Sequence, residues 1–198
     1  RPQIKTGWRE EPGPGSGILY DLGAHLIDQG LHLFGMPRAV TADILAQRTG
    51  AKVEDYFHLV LDYAPLRVIL HSATLVPHPG PRFMIHGDSG SFLKCGLDGQ
   101  EDALKQGLRP GDQQWGVDQP EYYGELTPAG GVPRKVETLR GSYEKYYELV
   151  AACLLTGTPP PVEAHDSRNG LMVIEAAQRS AADTARSRTP SIGKIASC

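Results

Sequence analysis

Polar and apolar positions along this chain follow two different periods, and the switches between them outline a fold. Over residues 17–35, GILYDLGAHLIDQGLHLFG, the apolar spacing is helical. Leu19, Leu22, Leu26, Ile27, Leu31, Leu33 and Phe34 cover most of the helix circumference. Ser16 is placed to cap this helix, and Gly35 with Pro37 to end it. The period then shortens. Residues 39–48, 56–64 and 66–76 are rich in β-branched and aromatic residues and read as strands, the last two joined tightly at Ala64-Pro65. Residues 82–96 read as a hairpin around Gly87-Asp88-Ser89-Gly90. Residues 97–134 are rich in Gly and Pro, with a short helix over 98–107, and RKVETLRG (134–141) adds an edge strand. Helical spacing returns over 142–157, stopped by Gly157 and the prolines behind it, and over 166–187, where Asp166 or Ser167 is the predicted cap.

Helix, strands with hairpin-length links, then two helices predict an α+β fold: a largely antiparallel open β-sheet with helices packed on one face. Phe57, Leu59, Leu61 and Tyr63 share one strand face, but Val60 and Tyr56 make the opposite face apolar too. Val68 and Leu70 point one way, Ile69, Ala73 and Leu75 the other. A sheet with one solvated face alternates more cleanly. A second copy of the chain covering that face, as a homodimer, is the expected partner.

The 198 residues suit one domain. A net charge of −3, without a basic block, excludes the usual nucleic-acid footprint. No apolar run approaches the ~20 residues of a membrane span, and no signal peptide opens the chain. Cys95, Cys153 and Cys198 are odd in number and widely spaced, which argues against a disulfide framework and for a reducing, cytoplasmic setting. A chain that opens on Arg1-Pro2 reads as beginning partway through a larger protein.

The chemistry concentrates in the first helix. At about 100° per residue, Asp21, His25, Asp28 and His32 fall within an arc of about 60°. Gly23 and Gly30 lie nearly opposite, where another backbone could approach. A narrow ionisable stripe on an otherwise apolar helix faces a cleft, a partner or a site. A carboxylate four residues before an imidazole orients it and favours its protonated form, so the imidazole can take a proton from a substrate hydroxyl. The bland alternative is a helix whose Asp and His satisfy neighbouring backbone groups. A metal-dependent enzyme is another, but four ligands on one straight helix cannot close around one ion, and no second cluster supplies the rest. GPGSG (13–17) lacks both the preceding strand and the spacing of a dinucleotide fingerprint. His58, His71, His78, His86 and His165 sit singly and read as structural or solvated.

The stretch ILYDLGAHLIDQGLHLFG resembles the Asp/His helix of the glucose–fructose oxidoreductase, inositol dehydrogenase and MocA (Gfo/Idh/MocA) family. GDSGSFLKCGLDGQEDALKQG and PPPVEAHDSRNGLMVIEAAQRSA are similar to that family's downstream tracts. The resemblance covers all of residues 1–198 and implies the C-terminal substrate-binding and dimerisation domain of an NAD(P)-dependent oxidoreductase, its N-terminal Rossmann domain being absent from this chain. By that resemblance Asp21 orients the substrate and His25 shuttles the proton of its hydroxyl. Asp28 orients His25 or binds substrate, and His32 has no assigned role. The substrate is a sugar, polyol or similar small molecule. NAD or NADP serves the full-length enzyme, while this chain alone is expected to bind neither tightly and to be inactive. A non-catalytic binding or dimerisation module is the rival reading.

Overall fold

A computed structural model of the chain describes residues 3–78 and 80–186. The predicted helix end at residue 187 and Cys198 lie outside them. The chain divides into two compact units, Arg1–Pro77 with Val162–Cys198, and His78–Pro161. The α+β class and the antiparallel pairing hold throughout, but the strands form two sheets, one in each unit. Pro77 and Pro81 between the third and fourth strands fit the break, since proline donates nothing to a ladder.

In the first unit a π-helical turn, Leu19–Gly23, runs into α1, Ala24–Phe34. Three antiparallel strands follow in spatial order: β1 (Ala39–Leu45), β2 (Tyr56–Tyr63) and β3 (Leu66–Ala73). Register places Ala42, Leu59 and Leu70 in one row and Val40, Leu61 and Val68 in the next. Burial along β2 alternates cleanly, with Phe57, Leu59 and Leu61 sealed and Tyr56, His58 and Val60 half-buried. The long α4, Ala164–Arg186, supplies Val173, Ile174 and Ala177 to the same core, and its Ser180 hydroxyl accepts the Ala42 N–H at 3.1 Å. Burial of each large core side chain contributes about 1.5–3 kcal/mol. The opposite face is mixed. Asp43, Thr41, Asp62 and Arg67 accompany Ile69, which is 61% exposed. His58 and His71 are cross-strand partners with rings 5.7 Å apart, so these two histidines do not sit singly as expected.

The second unit holds β4 (Phe83–Gly87), β5 (Gly90–Lys94), β6 (Gly124–Pro128) and β7 (Arg134–Val136) in sequential order. Its helices are the short α2, Gln100–Lys105, and α3, Tyr143–Thr156, which stops at the left-handed Gly157 (φ 73°). The β4–β5 hairpin turns at Asp88-Ser89 as expected. Trp115 is buried, with its indole N–H donating to Glu144 Oε2 at 2.8 Å. Polar clamps do the remaining fastening. The Lys94 ammonium spends its three protons on Asp118, Thr138 and the Tyr122 carbonyl. Arg140 holds the carbonyls of Asp112, Gln113 and Trp115. Among the described residues no helix is long and apolar enough to cross a membrane, and Cys95 and Cys153 are free thiols.

Candidate active site

The ionisable stripe belongs to the first unit, where the chain enters its first helix. Ser16 does not cap that helix. Its hydroxyl bonds both the N–H and the carbonyl of Gly13, closing a turn three residues back. The helix start is taken by the β1–β2 loop instead. The Ile18 N–H donates to the Glu54 carbonyl at 3.1 Å, and the Glu54 carboxylate lies against Gly17. Gly17 has φ +87°, a conformation that demands glycine, and any Cβ there would also displace the Glu54 carboxylate. α4 likewise starts earlier than predicted, at Ala164, which puts Asp166 in its first turn. There Asp166 accepts the Glu163 N–H at 3.1 Å.

The first turn of the stripe helix is π-helical, a rare wider winding found often at functional sites. Asp21 sits in it, so the count of 100° per residue applies from Ala24 onward and not across Asp21. The Asp21 carboxylate is 28% exposed and accepts a 2.7 Å hydrogen bond from Arg9 Nε. His25, Asp28 and His32 follow on α1, and all three are exposed. None makes a hydrogen bond or ion pair with another described residue. The imidazole of His25 is therefore available to a ligand, which a structural histidine bonded to local backbone would not be. The helix is less buried than its composition predicts, since Leu22, Leu33 and Phe34 are exposed. Gly23 and Gly30 do face the core as expected. Side chains fill the space, however: the Phe57 ring at Gly23 and Leu61 at Gly30, with no second backbone there.

Behind the helix start lies a buried ionic cluster. Arg48, whose side chain is 3% exposed, donates through Nε to Asp55 at 2.7 Å and through both terminal nitrogens to Glu10. Glu10 holds the guanidinium firmly in its charged form, and Asp55 adds to this. Burial pushes the Asp55 carboxyl up, but the Gln47 and Arg48 N–H groups and the Arg48 side chain outweigh it and hold the carboxyl below the usual range. Glu54, next in sequence, is pushed up by burial, and its Oε1 has no partner. Arg9, Glu10, Arg48 and Asp55 carry no periodic signal in the sequence. They meet across up to 38 residues of chain, which pattern reading does not reach.

Among the described residues no three His, Cys, Asp or Glu groups converge to hold a metal ion. Both sheets are antiparallel, and no strand–glycine turn–helix cradle for a pyrophosphate is present among the described residues. The described residues therefore offer no pyrophosphate cradle of that kind.

Comparison with known proteins adds the context. The family model described as "Oxidoreductase family, C-terminal alpha/beta domain" matches residues 1–187. The chain is 51% identical over 183 residues to scyllo-inositol 2-dehydrogenase (NADP(+)) IolW of Bacillus subtilis, covering 91% of this chain and 51% of that protein. It is 43% identical to the uncharacterized oxidoreductase YdgJ of Escherichia coli, covering 88% of this chain and 51% of that protein. A solved structure of the Bacillus subtilis protein YvaA superposes with a TM-score of 0.86 at 47% identity, over 93% of this chain and 53% of that one. The chain thus spans about half the length of the curated relatives it matches.

Proposed function

The chain belongs to the Gfo/Idh/MocA oxidoreductase family, and we propose that it is the substrate-binding and proton-transfer half of an NAD(P)-dependent enzyme acting on a polyol or sugar hydroxyl. The observation that carries this reading is the exposed, unpaired His25 one turn beyond an anchored Asp21, on a helix backed by a sealed core. Oxidation of a secondary alcohol requires a group that accepts the hydroxyl proton as the carbon loses hydride. His25 is that group on this reading. Asp21 holds a neighbouring substrate hydroxyl, and Asp28 orients the ring or the substrate. NAD or NADP belongs to the half of the protein outside this chain, and nothing here is assigned to it. The IolW similarity favours a cyclic polyol and NADP.

The same reading makes the chain a homodimer through the outer face of β1–β3, where Ile69, Val60 and Tyr56 line up with polar neighbours. Light scattering on the purified protein should return the mass of two chains at micromolar concentration, and a monomer there contradicts the dimer. For the catalytic reading, the full-length protein is assayed with scyllo-inositol and related polyols against both nucleotides. His25→Ala should lower kcat by about 10²–10⁴. Unchanged turnover in that variant overturns the assignment. Titrated alone with NADPH, the present 198 residues should show no micromolar binding.

A further inference from the structure

Arg9 precedes the helix by ten residues of polar, glycine- and proline-rich chain, a segment with no reason of its own to hold one position. Yet it is fastened at three places. Gly17 N–H donates to the Arg9 carbonyl at 3.3 Å, and Glu10 N–H donates to Gly7 at 3.0 Å. The carboxylate of Glu10 is gripped by both terminal nitrogens of Arg48, which is itself locked on Asp55. A buried cation between two acids is a poor stabiliser compared with apolar side chains of the same volume, and its best-attested use is to fix one geometry over others. What this one fixes is the residue beside Glu10. The Arg9 guanidinium packs over the Trp8 ring, with Cζ 4.5 Å from the centroid, and presents Nε to Asp21.

We propose that Arg9 is a positioning residue: the Arg48–Glu10–Asp55 cluster holds Arg9 against Asp21, and Arg9 fixes the carboxylate that receives the substrate. The inference rests on the reading of Asp21 and His25 given above. Asp21 lies in the π turn that precedes α1, and its carboxylate is held from outside the helix by Arg9 Nε. Arginine suits that task, because its planar fork is already organised and its charge never titrates in this range. Both side chains keep part of their surface in water, Arg9 at 56% and Asp21 at 28%, so the pair adds little to stability and is open to an incoming polyol.

The test is a double-mutant cycle in the full-length enzyme with its polyol and nucleotide. Arg9→Ala should raise KM for the polyol at least tenfold, with kcat within about threefold and the melting temperature unchanged within error. Arg9→Lys, which returns the charge without the fork, should recover part of the loss. Glu10→Gln should move KM in the same direction by loosening the loop. In an Asp21→Asn background Arg9→Ala should add nothing, because its effect passes through that carboxylate. An unchanged KM in Arg9→Ala, or a full additional loss in the Asp21→Asn background, overturns the inference. If Asp21→Asn and His25→Ala are themselves silent, it is the active-site reading that fails.

Discussion

The two units of this chain solve the same problem in opposite ways. The first closes a continuous core: Leu19 and Ile27 from the stripe helix, Phe57, Leu59 and Leu61 from β2, and Val173, Ile174 and Ala177 from α4. The second, the shorter of the two, buries Trp115, Gln100 and Gly124 and leaves Leu97, Val132, Leu139, Leu154 and Leu155 more than 70% exposed. Hydrogen-bonded ladders and long polar side chains stand in for its core. The difference teaches where rigidity is placed. The candidate site stands on the unit whose packing fixes its helix, whereas the other unit carries apolar surface with nothing of its own to cover it.

The widest contrast is expected from truncating one large apolar residue in each unit. Phe57→Ala should cost about 3–5 kcal/mol, the usual range for emptying a buried aromatic site. Leu155→Ala, on a side chain 85% exposed, should stay within about 0.5 kcal/mol. Urea melts of both variants measure this, and equal losses would erase the distinction between the units. Next come the two ionic clamps. Arg48→Met strands two acids around a site that is 3% exposed and should cost about 3–5 kcal/mol. Lys94→Met takes the counter-charge from Asp118, which is 15% exposed and keeps Thr138 and the Gln119 N–H, and should cost about 1–3 kcal/mol. A larger loss at Lys94 would make the polar clamps of the second unit the stronger fastening.

The pH dependence of the two neighbouring acids is the finest discrimination. Asp55 and Glu54 are neighbours with opposite titration. The depressed carboxyl of Asp55 adds stability above its unfolded pKa of about 3.9 and loses it as pH falls through the folded value. The raised carboxyl of Glu54 favours the folded state below its unfolded pKa of about 4.3, and that gain is lost as pH rises through the folded value. Glu54→Gln should therefore raise the melting temperature slightly at pH 7 and not at pH 4. Asp55→Asn should lower it at pH 7, with the gap closing below about pH 4. Thermal melts from pH 3 to pH 8 follow both, and a pH-independent difference in either variant contradicts the account.

Local rules were legible and long-range ones were not. The alternation of β2 is visible because one face packs on helices, and Gly157 announces the end of α3 because a left-handed cap favours glycine. β6 was invisible. Gly124 and Pro128 bound it, and the Phe92 ring lies over Gly124, a contact made by chain 32 residues away by count of position. The stripe of His25, Asp28 and His32 followed from spacing alone. The π turn beneath Asp21, the failure of Ser16 to cap it and the tether from Arg9 all depend on a loop near residue 54 that no helical period reports.

The π turn at Leu19–Gly23 also has a meaning in terms of chain length. A π turn is an α-helix carrying one residue too many, so the phase between Asp21 and His25 is set by a count as much as by residue identity. Removing a single residue such as Tyr20 would let the turn relax to α: the chain before it would keep nearly the same phase, since five residues of π winding turn through about as much as four of α, but Asp21, inside the turn, would change its phase relative to α1. Every side chain of the site would still be present, and the carboxylate would face elsewhere. At this place a deletion of one residue is a more severe lesion than most substitutions, and a comparison of relatives that tolerates a gap inside the turn would match residues that no longer share a face.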